Sequence, residues 1–308
     1  MNEFDLIAGL TRDLPTNAQV VTGSGDDCAV LDFGAPELLL FKTDAVVEGV
    51  HFTQEMPPEK IGHKALARCL SDIAAMAGTP KAAVITLGLP KNFDAIFIEK
   101  IYVGLKALAQ KFGVAIVGGE TTANPGHIFI SVALLGTVGH GTAALRSAAK
   151  LGDAIFVTGE LGGSFLGKHL DVEPRIAEAQ WLAENFSIHA MIDLSDGLAG
   201  DLRHILKSSG TGAEILKPAV PVARAAKLQA KKSPAKPAFA AALEDGEDFE
   251  LLFTVASSDA VKLLDAWKKK FPQLKLSCIG KIVPGTEITI RDKGGPHKLD
   301  AHGYVHFA

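Results

Sequence analysis

Apolar residues recur along this chain with two different periods. Over Pro58–Met76, the residues Ile61, Ala65, Leu66, Cys69, Leu70, Ile73 and Met76 fall three and four apart, which predicts an amphipathic helix. Asp94–Phe112 and Leu198–Ser208 also predict helices, and residues 4–12 a short N-terminal one. Short apolar runs bounded by turn residues predict strands at Cys28–Asp32, Leu38–Thr43, Ala82–Leu89, Val114–Val117 and His127–Val138. Gly139-His140-Gly141 then marks a boundary, after which the pattern restarts. Strand Ala154–Thr158 leads through a glycine turn to a helix, and Ala190–Leu194, Leu251–Val255, Leu276–Ile279 and Ile288–Ile290 predict further strands. Pro218–Pro237, rich in proline and lysine, predicts an exposed loop. The expected fold is α+β in two domains, a mixed-sheet domain over 1–139 and an α/β domain over 140–308.

Bulk properties narrow the chemistry. With 308 residues the chain suits two cores, and a hydrophobic share of 47% with 21% charged residues is ordinary globular composition. A net charge of −4 offers no basic face for nucleic acid, so anionic substrates need metal ions to supply positive charge. Cys28, Cys69 and Cys278 show no CxxC spacing, which argues against a zinc site and for a reduced compartment. The acidic start lacks the basic region of a signal peptide, and the longest largely apolar stretch, Ile128–Val138, is too short to span a membrane. A cytoplasmic protein is expected.

The chemically informative feature is a series of acidic residues at the ends of apolar segments. They are Asp26-Asp27, Asp44 after Thr43, Asp72 after Ser71, Glu120 after Gly118-Gly119, Asp193 and Asp196 around Ser195, and Glu247-Asp248 after Gly246. Any one of them can be a solvated turn or a helix cap. Asp72, between Leu70 and Ile73 beside the apolar stripe, is costly to bury without a partner. Converging carboxylates repel and call for cations, and oxygen ligands without His or Cys select magnesium, which favours phosphate chemistry. Gly162 to Lys168 nearly matches a phosphate-binding P-loop, but His169 stands where the magnesium-binding hydroxyl belongs, so the segment reads as a glycine-assisted turn. GxSxG and HExxH motifs are absent. His51, close in sequence to Asp44, is as consistent with function as with structure.

Taken in order, these motifs resemble the thiamine-monophosphate kinase family. The resemblance runs through Gly25–Val30, Thr43-Asp44 with Gly49-Val50-His51, Lys64–Ala67, Leu70–Met76, Gly118-Gly119, Arg146-Ser147, Ile192–Leu198, Gly246–Leu251 and Gly303–Phe307. It implies a two-domain fold shared with aminoimidazole ribonucleotide synthetase, and a homodimer formed by the N-terminal domains with ATP near the shared sheet. It further implies phosphorylation of thiamine monophosphate by ATP with Mg2+. Its metal positions fall on Asp27, Thr43, Asp44, Asp72, Glu120, Asp193 and Asp196. ATP contacts fall on Tyr102, Gly119, Glu120, Arg146 and Ser195, and thiamine-phosphate contacts on His51, Glu247 and Tyr304. Asp44, Asp72 and Arg146 are the residues expected to carry catalysis.

The alternatives are a related ATP-using enzyme or a catalytically silent nucleotide binder. Two positions depart from the family pattern. Lys42 stands where a small hydroxyl residue is expected, and Glu120 where Asp is expected. As strand neighbours two apart, Lys42 and Asp44 should point together, so Lys42 is expected to pair with Asp44 and stand in for part of a metal's charge. Glu120 is then expected to compensate from the same metal region.

Overall fold

The computed structural model describes residues 3–233 and 236–304. Its first half runs α1 (Glu3–Thr11), β1 (Val20–Thr22), β2 (Ala29–Leu31), β3 (Glu37–Val47), α2 (Pro58–Ala75), β4 (Thr79–Leu89), α3 (Ala95–Lys111), β5 (Ala115–Ala123) and β6 (Phe129–Gly139). The second half opens with β7 (Ala154–Thr158), two 3-10 turns (Ser164–Leu166 and Lys168–Leu170), α4 (Ile176–Asn185), β8 (Ile188–Asp193) and α5 (Leu198–Ser209). It continues with β9 (Gly212–Leu216), α6 (Arg224–Lys232), α7 (Ala238–Glu244), β10 (Leu251–Val255), α8 (Ala260–Lys270), β11 (Leu276–Val283), β12 (Ile288–Asp292) and β13 (Gly295–Lys298).

The first sheet has the order β1-β2-β3-β6-β4-β5, antiparallel except for β4 with β5. In β3, Leu38, Leu40 and Val46 are buried on one face while Phe41 on the other is 46% exposed. The same two-residue alternation on β6 and β4 buries Ile130, Val132, Leu134, Ile85 and Leu87 on the inner face. Helix α2 packs on β3 and β6, and α3 packs on α2. The two helices meet through glycines. A Cβ on Gly62 would lie 1.8 Å from the Ile101 carbonyl oxygen, and one on Gly104 would lie 1.7 Å from that of Glu59. Asp94 caps α3 by accepting from Ile96 N at 2.9 Å.

The second sheet has the order β13-β12-β9-β11-β7-β10-β8, antiparallel except for β12 with β9. Strands β7 and β10 are buried on both faces because each face of this sheet carries its own core. One core holds Ile155, Val157, Ile192 and Leu252 with α5 and α7 residues. The other holds Phe156, Met191 and Phe253 with α4 and α8 residues, and it continues without a break into the core of the first half. Helix α2 is the element between the halves, since it also touches α4 and β8. The expected loop over 218–237 is corrected here: Arg224–Lys232 is helical, its Ala226 buried beside the 162–166 turn. Pro234 and Ala235 of that stretch, and Val305–Phe307 of the C-terminal motif, lie outside the described residues. Among the described residues, no helix is long and apolar enough to cross a membrane.

Candidate active site

Helix α2 carries a polar row on the face toward the second half. Lys64, Arg68 and Asp72 are spaced i, i+4 and i+8, so they stack along one line. Each end of that row meets a different group of partners.

At the C-terminal end, ligand atoms of Asp27, Asp72 and Asp193 all lie within 4.8 Å of one another, and all three residues are buried. Asp27 precedes β2, Asp193 ends β8, and Asp72 lies near the end of α2. Ser71 Oγ donates to Asp193 at 2.5 Å, which ties α2 to β8. Arg146 donates to Asp27 Oδ1 at 2.6 Å, and its backbone N–H donates to Asp26 at 3.1 Å. Burial, reinforced by the Asp27 charge, raises the Asp193 carboxyl to about 7. Burial also pushes Asp72 well above the carboxylate range, against the pull of Lys42. Asp27 Oδ2 is buried and has no hydrogen-bond partner among the described residues. An orphaned carboxylate oxygen among oxygen donors, with no His or Cys, fits a magnesium ion.

Lys42 and Asp44 do point to the same face, but the expected pairing is corrected: Lys42 Nζ lies 2.9 Å from Asp72 Oδ1. Asp44 is taken by Arg68, whose Nε donates at 2.9 Å. Burial alone would raise the Asp44 carboxyl, yet Arg68 and Lys42 hold it below its ordinary value. The expected Lys42–Glu120 compensation is also corrected, because the two lie on opposite faces of the sheet. Glu120 pairs across β4 and β6 through Thr86 and Ser131 to Ala45, which shares the outer face with Thr43. Thr43 Oγ1 lies 3.3 Å from Ser131 Oγ on that face, away from the buried carboxylates. The Glu120 carboxylate accepts from the Thr121 N–H at 2.9 Å.

At the N-terminal end of the row, Lys64 is 1% exposed. Its ammonium donates to the His51 carbonyl oxygen at 2.7 Å and to Glu247 at 2.6 Å, and lies 2.8 Å from His169 Nδ1. Arg68 also donates to Glu247, at 2.9 Å. Burial would raise the Glu247 carboxyl, but His169, Lys64 and Arg68 together hold it at about 2. Burial lowers Lys64 against the pull of Glu247, while donors on both sides of the Glu247 carboxylate, Lys64 and Arg68, favour its ionised form. The loops that deliver these groups are tied together: Glu247 N donates to Ser195 O at 2.7 Å, and Tyr304 N to Asp196 O at 2.9 Å. Glu247 and Phe249 take φ values of 53° and 49°, a left-handed backbone that their neighbours must hold in place.

His51, Glu247 and Tyr304 line one cavity, together with Ser195, Asp196 and Arg68. His51 Nδ1 accepts from the Val47 N–H at 3.1 Å, so the ring proton sits on Nε2, and burial followed by the Arg68 charge lowers its pKa to about 4. It is a neutral donor at neutral pH. Arg68 lies between the two groups on the α2 row, one edge of its guanidinium on Asp44 and Nη1 on Glu247, and it lines the cavity while its charge acts on Asp72, the next residue of the row. Tyr102, on α3, packs partly buried against the first core and does not line this cavity. Gly119 on β5 is small for a packing reason, since a Cβ there would sit 1.9 Å from the Ile85 carbonyl oxygen. The 162–168 turn is filled by the protein's own acids: Gly162 N donates to Asp248, Gly163 N to Asp245, Ser164 Oγ to Asp248, and Lys168 pairs with Glu250. Lys64, Arg68 and His169 were not expected in the site. The i, i+4, i+8 row on α2 is the signal that carries the first two; nothing in the sequence around His169 does.

The fold and site define a class first. Residues 25–138 match the AIR synthase related protein N-terminal domain, and residues 124–293 match its C-terminal domain. Within that class the chain belongs to the thiamine-monophosphate kinase family. It is 39% identical to the thiamine-monophosphate kinase of Rhodopirellula baltica, over 97% of this chain and 95% of that one. It is 36% identical to the Escherichia coli K12 enzyme, over 99% and 98%. The solved structure of AaThiL complexed with AMPPCP and TMP superposes with a TM-score of 0.82 at 30% identity, covering 99% of this chain and 97% of that one.

Proposed function

We propose that this chain moves the terminal phosphoryl group of ATP onto thiamine monophosphate, giving thiamine diphosphate and ADP by direct in-line transfer. The observation that carries the reading is the place of Arg68: it lines the cavity and is followed one helical turn later by Asp72 of the carboxylate cluster, on which its charge acts, so a phosphate in the cavity would lie near the cluster. Asp27, Asp72 and Asp193 are the residues that would hold magnesium. Magnesium, when bound, would neutralise charge on the phosphate oxygens. The acceptor is itself a phosphate, so no strong base is needed to activate it, in keeping with a neutral His51. His51 Nε2–H and the Arg68 guanidinium are suited to hold phosphate oxygens, and Asp196 and Glu247 to meet a cationic thiazolium ring. Arg146, already on Asp27, would orient that carboxylate and lend its charge to a nearby phosphate.

We divide the chain at 139/140, with the cavity walls drawn from both parts. We also read the chain as a homodimer joined through the outer face of the first sheet, with ATP near that face, where Thr43 and Glu120 lie. The reaction belongs in the cytoplasm on this reading, where the three free cysteines remain reduced. The test is direct: incubate the protein with ATP, magnesium and thiamine monophosphate, and follow thiamine diphosphate and ADP by chromatography. Equal amounts of both products are expected. ADP without thiamine diphosphate, or neither from folded protein, overturns the proposal.

A further inference from the structure

Strand β3 delivers an ammonium into the group of carboxylates. Lys42 Nζ lies 2.9 Å from Asp72 Oδ1, and Asp72 is one of three buried acids whose ligand atoms lie within 4.8 Å of one another. Three acids of this region each have one cation: Arg146 on Asp27, Lys42 on Asp72, and on Asp44 an Arg68 that it shares with Glu247. Asp193 has the Ser71 hydroxyl but no ion pair among the described residues, Lys42 and Arg146 acting on it only from further off. Asp27 Oδ2, buried and with no hydrogen-bond partner among the described residues, adds a second open acceptor. The unmet negative charge therefore lies on the Asp27–Asp193 side, and the Asp72 side is already covered.

We propose that Lys42 is a resident cation of the cluster, holding the Asp72 oxygen that a divalent ion would otherwise take, so that the cluster binds one divalent ion fewer. An ammonium and a divalent ion on one carboxylate repel each other, and in a shielded site that repulsion is weakly screened. An ammonium also offers only donors, so it meets the carboxylate charge without contributing a ligand to a metal. Removing its charge should open the Asp72 side to a second ion. The inference rests on the reading of Asp27, Asp72 and Asp193 as a magnesium site, and the test separates the two.

Mn2+ is the probe, added to full-length protein without nucleotide, with bound ions counted from the loss of the free Mn2+ electron-spin resonance signal. Wild type, Lys42→Met, Lys42→Ser, Lys42→Arg and Asp193→Asn are compared. Lys42→Met and Lys42→Ser are expected to bind one more Mn2+ per chain than wild type, and Lys42→Arg the wild-type number. The same count and affinity in wild type, Lys42→Met and Lys42→Ser, with binding lost in Asp193→Asn, overturns the role of Lys42 and leaves the metal site standing. Absence of binding in every protein overturns both. Should either charge-removing variant melt early without metal, recovery of the wild-type melting temperature with Mn2+ supports the exchange of one cation for another. Failure to recover refutes it.

Discussion

Asp72 is buried on α2, and among the described residues it forms its ion pair with Lys42, whose side chain stays 25% exposed. Asp72→Asn therefore removes a ligand from the cluster without stranding a fully buried ammonium. Loss of one metal ligand is expected to lower turnover on the order of 10³-fold, which corresponds to about 4 kcal/mol of transition-state stabilisation. Stability should fall by about 1–2 kcal/mol, the usual scale for a partly exposed charge losing its partner. Turnover with saturating magnesium and a urea melt measure the two separately; near-normal turnover would remove Asp72 from the site. Glu247 supports a pH prediction. Its carboxyl is held at about 2 against an ordinary 4.5 by His169, Lys64 and Arg68 acting against burial. A depressed acid adds stability that is complete above the unfolded value and is lost as pH falls from 4.5 toward 2, amounting to about 3 kcal/mol. Glu247→Gln should be less stable than wild type at pH 7, and the two stability curves should converge as pH approaches 2. Curves that stay parallel between pH 5 and 2.5 would show that Glu247 does not titrate in this way.

Single elements set what can be tested next. Gly119 on β5 pairs with Ile85 on β4, and a Cβ there would meet the Ile85 carbonyl oxygen at 1.9 Å. Gly119→Ala must push the strands apart, and overpacking of this kind destabilises by about 1–3 kcal/mol. A thermal melt within a degree of wild type would show that β5 moves freely. The 162–168 turn gives the opposite expectation for Lys168. Glu250 keeps Arg175, at 2.8 Å, and the Thr158 hydroxyl, at 2.8 Å, when Lys168 is removed. Lys168→Ala should therefore lower stability by about 1 kcal/mol and change turnover little. A loss of activity on the thousandfold scale, as expected for a true P-loop lysine, would place the turn at the phosphates. The main helices and strands were legible because their cores demand strict spacing: α2 with its stripe from Ile61 to Met76, β3 with its alternation. Acidic residues at the ends of elements were legible for the same reason, since Asp193 closes an apolar run and Asp27 sits just before one. Shorter pieces were harder to see. β1 and β13 are brief, largely exposed edge strands, and α6 buries only Ala226, so composition outweighed spacing there. α8 carries Leu263 and Trp267 one turn apart on its buried face, a signal that was present. Which cation meets which carboxylate was not legible. Lys42 has Asp44 two residues away on its own strand, yet it reaches Asp72 across to α2, a contact fixed by tertiary packing and not by local order.

At the scale of the whole molecule, the first sheet has one face buried under α2 and one face open. On the open face Phe41 is 46% exposed, Val84 41% and Val117 65%, and Leu135 and Ala133 lie between Phe41 and Val84 in register. An apolar face spread over neighbouring strands is larger than single exposed residues, which need no explanation. A second copy of the same sheet would cover it in a self-complementary way, as two-fold pairing requires, and a stable interface of this kind buries roughly 1,600 Å² in total. The same pairing would account for Thr43 and Glu120. Both lie on the open face and away from Asp27, Asp72 and Asp193, so a role near ATP requires the nucleotide to sit where two sheets meet. Val84→Glu places a carboxylate in the middle of that face without touching the inner core or the cavity. Sedimentation equilibrium should give a mass of two chains for wild type and one for Val84→Glu, with both proteins folded by circular dichroism. If ATP lies by the shared sheet, Val84→Glu should raise the KM for ATP while leaving that for thiamine monophosphate near its wild-type value, because the cavity of His51, Glu247 and Tyr304 is built within one chain. Wild type sedimenting as a single chain would refute the pairing. Equal increases in both KM values would instead show that the sheet face supports the whole site and not the nucleotide alone.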